Sequence, residues 1–126
     1  MVRVLVVDDS LAVRKRLYEL LSDSNGVEEV SEAADAGTAL DLVRSKPIDL
    51  LVLDISLGAR SGLDLLRTLR AEHSGIMVIV LTNSNTDAHR DECLRRGAHF
   101  FFDKSHEFER AIAVVARAAQ TARTPL

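Results

Sequence analysis

Two hydrophobic periods alternate along the chain. Residues 3–7 (RVLVV), 49–54 (DLLVLD) and 76–81 (IMVIVL) are short aliphatic runs with little polar alternation, and each predicts a strand buried on both faces. A weaker run at 28–33 and the triplet Phe100, Phe101 and Phe102 add two more strands. Between them the spacing turns helical. Ser10 is placed to cap a helix in which Val13, Leu17, Leu20 and Leu21 share one face, with Arg14, Lys15, Arg16 and Glu19 elsewhere. Ala36, Ala39, Leu40 and Val43 group on a second helix. A third, behind a loop holding Gly58 and Gly62, carries Leu65, Leu66 and Leu69. The segment 86–96 is polar, and only Ala88, Cys93 and Leu94 are apolar candidates there. A last helix from about His106 to Ala122 gathers Phe108, Ile112, Val115, Ala118 and Ala119 into an arc of about 160°.

Five β–α units with doubly buried strands predict an α/β fold, a parallel sheet covered by helices on both faces. The 126 residues suit one domain, expected to span 1–122 with a tail at 123–126. Composition narrows the setting. Apolar residues make up 47% of the chain, enough for a core, and the single cysteine rules out an internal disulfide. No run approaches the roughly 18 apolar residues of a membrane span, and the opening MVRVLVVDDS meets two aspartates too early for a signal peptide. A net charge of −3 disfavours a nucleic-acid surface. The expectation is a cytoplasmic protein with no membrane and no direct nucleic-acid partner.

Open parallel sheets bind ligands at the carboxyl ends of their strands, and here those ends carry the polar residues. Asp8 and Asp9 follow the first strand, Asp54 the third, Thr82 the fourth and Lys104 the fifth. If the first and third strands are neighbours, three carboxylates crowd one pocket, and one must take up a proton unless a cation fills it. An all-oxygen set of this kind suits Mg²⁺. A carboxylate can be the nucleophile of phosphoryl transfer, with a hydroxyl and an ammonium stabilising the equatorial oxygens. Thr82 and Lys104 fit those two parts. Periodicity does not say which aspartate is attacked.

At this point the chain resembles, along its whole length, the receiver domains of two-component signalling. Asp8-Asp9 is similar to the family's metal-binding pair, Asp54 at the end of LLVLD to its phosphoacceptor, and Gly62 stands eight residues later. Thr82 after VIVL and Lys104 in FFDKS match the hydroxyl and lysine positions, and Phe101 matches the aromatic switch. The resemblance implies a flavodoxin-like, doubly wound (βα)5 fold with sheet order 2-1-3-4-5. It implies that Asp54 takes a phosphoryl group from a histidine kinase or histidine phosphotransfer protein. Mg²⁺ would be held by Asp8, Asp9 and Asp54. Thr82 would then move toward the phosphoryl group, Phe101 would turn inward, and the face of the fourth helix, fifth strand and fifth helix would signal to a downstream protein. The receiver would catalyse its own phosphorylation and dephosphorylation without being a turnover enzyme. It would stand alone, as a monomer or a phosphorylation-dependent dimer.

Ser56, Asn83 and Ser84 would form the pocket rim. Several residues depart from the common pattern: Leu57 for methionine, Gly58 for proline, Asn83 for alanine or glycine, and Ser105 for the proline after the lysine. Asn83 is expected to narrow the approach to Asp54. Rival readings lack their marks. A haloacid-dehalogenase-like phosphatase wants an aspartate where Ser56 stands, and a flavodoxin wants a phosphate loop where Asp8 and Asp9 stand. No GxxxxGK loop is present. An interaction module indifferent to phosphorylation has no use for the acid set. His73, His89, His99 and His106 read as surface histidines, Cys93 as a core residue, and Arg14-Lys15-Arg16 as a solvated helix face.

Overall fold

The computed structural model describes residues 1–57, 62–83 and 87–123. Ten elements alternate: β1 Val2–Val7, α1 Leu11–Ser22, β2 Val27–Ala33, α2 Ala36–Ser45, β3 Leu50–Leu53, α3 Gly62–Glu72, β4 Met77–Thr82, α4 Asp87–Arg95, β5 Phe100–Asp103 and α5 Phe108–Arg123. The strands form one parallel sheet in the order β2-β1-β3-β4-β5. The expected fold and strand order hold.

Strand alternation sorts the core into two layers. Leu5, Val7, Leu51, Leu53, Val78 and Val80 face one side, where Ala39 and Val43 of α2 and Leu65, Leu66 and Leu69 of α3 cover them. Val4, Val6, Leu50, Val52, Ile79 and Leu81 face the other, against Leu17 and Leu21 of α1 and Phe108, Ala111, Val115 and Ala119 of α5. Buried on both faces, the central strands had to be aliphatic throughout, which is why their pattern shows no alternation.

The helices begin where side chains supply acceptors for free backbone N–H groups. Ser10 caps α1 by accepting from the Val13 N–H at 3.3 Å, as expected. Asp35 caps α2, accepting from the Thr38 N–H at 2.7 Å, and that bond holds its carboxyl below the usual range. The last helix starts at Phe108 rather than near His106, because residues 104–107 are spent on a turn around Asp103.

Three further expectations need correction. Leu20 does not join the buried face of α1: at 41% exposure it lies about 80° from the line between Leu17 and Leu21. Of the three apolar candidates on the fourth helix only Cys93 is buried, and Ala88 and Leu94 are exposed. Arg14 is not solvated: its side chain is 14% exposed and pairs with Glu32 at 3.3 Å.

Among the described residues no helix is long and apolar enough to cross a membrane.

Candidate phosphorylation site

The parallel register sets the strand ends side by side. The Asp54 N–H donates to the Val7 carbonyl at 2.9 Å, and the Lys104 N–H to the Thr82 carbonyl at 2.9 Å. The chain leaves the sheet immediately after β1, β3, β4 and β5, so Asp8, Asp54, Thr82 and Lys104 meet at one edge.

Their contacts converge on Asp54, which is buried with Asp8 and Thr82. One carboxylate oxygen, Oδ1, accepts from the Thr82 hydroxyl at 2.8 Å and from the Ser56 N–H at 2.9 Å. The other, Oδ2, accepts from Lys104 Nζ at 2.9 Å. The same ammonium reaches Asp8 Oδ2 at 2.7 Å, while Asp8 Oδ1 accepts from the Ser10 N–H at 2.8 Å. Burial alone would depress the Lys104 ammonium, but its hydrogen bonds to Asp8 and Asp54 outweigh this and hold it above the ordinary lysine value. Such an arrangement tolerates little editing, since removing one partner of a buried charge pair strands the other.

Asp9 is exposed beside this pair. Asp8, Asp9 and Asp54 each offer an oxygen, all within 4.8 Å of one another. Among the described residues no other group of His, Cys, Asp or Glu side chains is assembled to hold an ion. The acidic cluster is therefore compatible with a metal site, and its all-oxygen donors fit a hard cation.

Arg14 supports the site and was missed in the sequence. Its Nη1 donates to the Asp8 carbonyl at 2.7 Å, tying α1 to the loop that carries the acidic pair. A signal existed: Arg14 falls only about 20° around α1 from buried Leu21. Gly62 is explained as well. A Cβ there would lie 2.4 Å from the Ile55 Cα and 2.9 Å from the Asp54 carbonyl, backbone atoms that cannot swing aside. The start of α3 packs directly against the chain leaving β3, and only glycine allows it.

The expected rim is met in part. Ser56 reaches Asp54 through its backbone N–H. Asn83 is exposed, with its amide oxygen accepting from the Ser105 hydroxyl at 3.0 Å. Ser84 and Gly58 lie outside the described residues. Phe101, the expected aromatic switch, is buried against the α2–α3 side of the sheet. The Arg90 guanidinium sits 5.9 Å from the centre of its ring. Of the histidines, His99 accepts from the Val78 N–H at 3.1 Å and His106 pairs with Asp103 at 2.6 Å. Both are structural contacts at strand ends. Cys93 is the core residue expected, and burial pushes its thiol up to about 11.

The profile of the response regulator receiver domain matches residues 4–116. The chain belongs to that family. It is 38% identical over 112 residues to the response regulator MprA of Mycolicibacterium vanbaalenii, covering 89% of this chain and 48% of MprA. It is 33% identical over 107 residues to the nitrate/nitrite response regulator NarP of Escherichia coli K12, covering 85% of this chain and 50% of NarP. The chain thus spans about half the length of these curated relatives. NtrX of Brucella abortus, a longer protein, superposes with a TM-score of 0.84 at 31% identity, over 97% of this chain and 27% of NtrX. The Francisella response regulator 1452 receiver domain, at 24% identity, shares the fold with a TM-score of 0.85 over 98% of this chain and 100% of that one. As a receiver domain of two-component signalling, the chain belongs to a class that interacts with kinases and downstream effectors.

Proposed function

We propose that Asp54 is the phosphoacceptor, charged in a Mg²⁺-dependent reaction by the phosphohistidine of a histidine kinase or histidine phosphotransfer protein. The observation that supports this reading is the distribution of donors on one buried carboxylate: Thr82 on one oxygen, Lys104 on the other, with Asp8 sharing the ammonium. Groups that hold the carboxylate in this way stand where the oxygens of an attached phosphoryl group would develop charge.

In the proposed step an Asp54 oxygen attacks phosphorus in line with the phosphohistidine nitrogen. The new O–P bond forms as the N–P bond breaks, and the electron pair leaves with the imidazole. Asp8, Asp9 and Asp54 would hold Mg²⁺, which supplies positive charge to the phosphoryl oxygens. Lys104 would follow Asp54 Oδ2 onto the phosphoryl group, and Thr82 would move its hydrogen bond from Oδ1 to a phosphoryl oxygen. Water later cleaves the acyl phosphate, so the domain resets itself and is not a turnover enzyme.

Signalling would run through the α4–β5–α5 face to a downstream protein. The Thr82 hydroxyl on Asp54 and the buried Phe101 on the neighbouring strand would link the site to that face, with phosphorylation shifting the population of its conformations. The receiver, expected over residues 1–122, would act in the cytoplasm without contacting nucleic acid or membrane. It would be a monomer or a phosphorylation-dependent dimer.

Incubation with acetyl phosphate and Mg²⁺, followed by intact mass, tests the assignment. The wild type should gain one phosphoryl group and Asp54→Ala none. A labelled peptide containing Asp8 or Asp9 would overturn it.

A further inference from the structure

Two of the residues that depart from the receiver pattern, Asn83 and Ser105, touch each other. The Ser105 hydroxyl donates to Asn83 Oδ1 at 3.0 Å. They stand one position beyond Thr82 and Lys104, whose own backbones are joined by the Lys104 N–H to Thr82 carbonyl bond at 2.9 Å. A side-chain contact therefore joins the two strand ends just beyond Thr82 and Asp103, the last ladder pair, where the regular β4–β5 pairing ends. On the Ser105 side the contact is anchored in turn, since the Ser105 N–H donates to Asp103 Oδ1 at 3.3 Å and the Asp103 N–H to Glu107 Oε1 at 3.0 Å.

We infer that Asn83 and Ser105 form a latch that sets the spacing between the Thr82 hydroxyl and the Lys104 ammonium at Asp54, and so act as positioning residues for phosphoryl transfer. This rests on the reading of Asp54 as phosphoacceptor and adds residues to it. With its amide oxygen engaged by Ser105, Asn83 is drawn toward the β5 loop, so its role is to hold the site's geometry, not to obstruct the approach to Asp54. Phosphorylation and hydrolysis both pass through an in-line phosphoryl transition state gripped by the same two groups. A latch that positions those groups therefore serves both steps, whereas an obstructing side chain would slow both.

The test compares Asn83→Ala, Ser105→Ala, the double variant and Ser105→Thr, which keeps the hydroxyl. Two quantities are read: the limiting rate of phosphorylation by acetyl phosphate with Mg²⁺, and the rate of acyl-phosphate hydrolysis. Each alanine variant should lower both rates about fivefold, the scale of one lost hydrogen bond. The half-saturating acetyl phosphate concentration should stay unchanged. The double variant should be no slower than either single one, and Ser105→Thr should retain the wild-type rates. Multiplying effects in the double variant, a faster Asn83→Ala, or a Ser105→Thr as slow as Ser105→Ala would each overturn the latch. Unchanged variants beside a phosphorylated wild type would overturn the latch alone. A wild type that takes up no phosphoryl group would overturn the reading of Asp54 and the latch with it.

Discussion

α4 and α5 flank the same strand and are built on opposite terms. α5 sends Phe108, Ala111, Val115 and Ala119 into the core beside α1. α4 sends in only Cys93. Its order comes largely from itself, through Glu92 paired with Arg95 at 2.8 Å and Arg96 at 2.7 Å, one turn away. Pairs of this kind contribute a few tenths of a kcal/mol each, whereas a buried aromatic or aliphatic side chain contributes about 1.5–3 kcal/mol. One helix is fixed by the core and the other is lodged against it. If signalling runs through the α4–β5–α5 face as proposed, that inequality would let one side of the face change while the hydrophobic core stays in place.

Hydrogen exchange would put the comparison under the greatest strain. Amides in the middle of α4 should exchange on the order of a hundredfold faster than those of α5, a gap of about 3 kcal/mol in opening free energy. Equal protection would show that α4 opens only with the whole domain. Truncation should separate the helices next. Phe108→Ala should cost about 3 kcal/mol of unfolding free energy, and Leu94→Ala, from an exposed position, no more than about 0.5 kcal/mol. Urea denaturation measures both, and a similar loss in the two variants would refute the contrast.

The smallest effect concerns how α5 begins. The Asp103 N–H donates to Glu107, which also pairs with Arg110 at 2.9 Å, and these contacts hold the Glu107 carboxyl below its usual value. A depressed carboxyl contributes stability above its ordinary value of about 4.3 and loses it as pH falls through the depressed one. Glu107→Gln should therefore melt below the wild type at pH 7, and the gap should close as the solution is acidified below about pH 4. A gap that persists in acid would show that charge at Glu107 contributes nothing to the start of α5.

The strands and the candidate site were legible for one reason. A parallel sheet buried on both faces leaves polar groups only at its ends, so Asp8, Asp54, Thr82 and Lys104 announce both the strand boundaries and the pocket. Contacts made by long or paired side chains were not legible. Arg14 sits in a basic run that looks solvated, and only its azimuth beside Leu21 betrays that it reaches the Asp8 carbonyl. The Asn83–Ser105 contact joins residues 22 positions apart. Each looked like an isolated departure until the pairing of β4 with β5 brought the two strand ends together. Leu20 failed for the converse reason: an apolar residue at the border of a helical stripe has no sequence signal that says which side of the border it occupies.

Cys93 gives the weakly held helix a chemical voice. It is the chain's one thiol, it is fully enclosed, and burial keeps it protonated well above neutral pH. Only the thiolate attacks an alkylating or disulfide reagent, so the folded chain is nearly inert toward such reagents. Reaction is expected only when an opening of α4 lets water reach the sulfur. The unaltered protein thus carries its own clock, in which the rate of thiol modification counts how often that one helix leaves its seat.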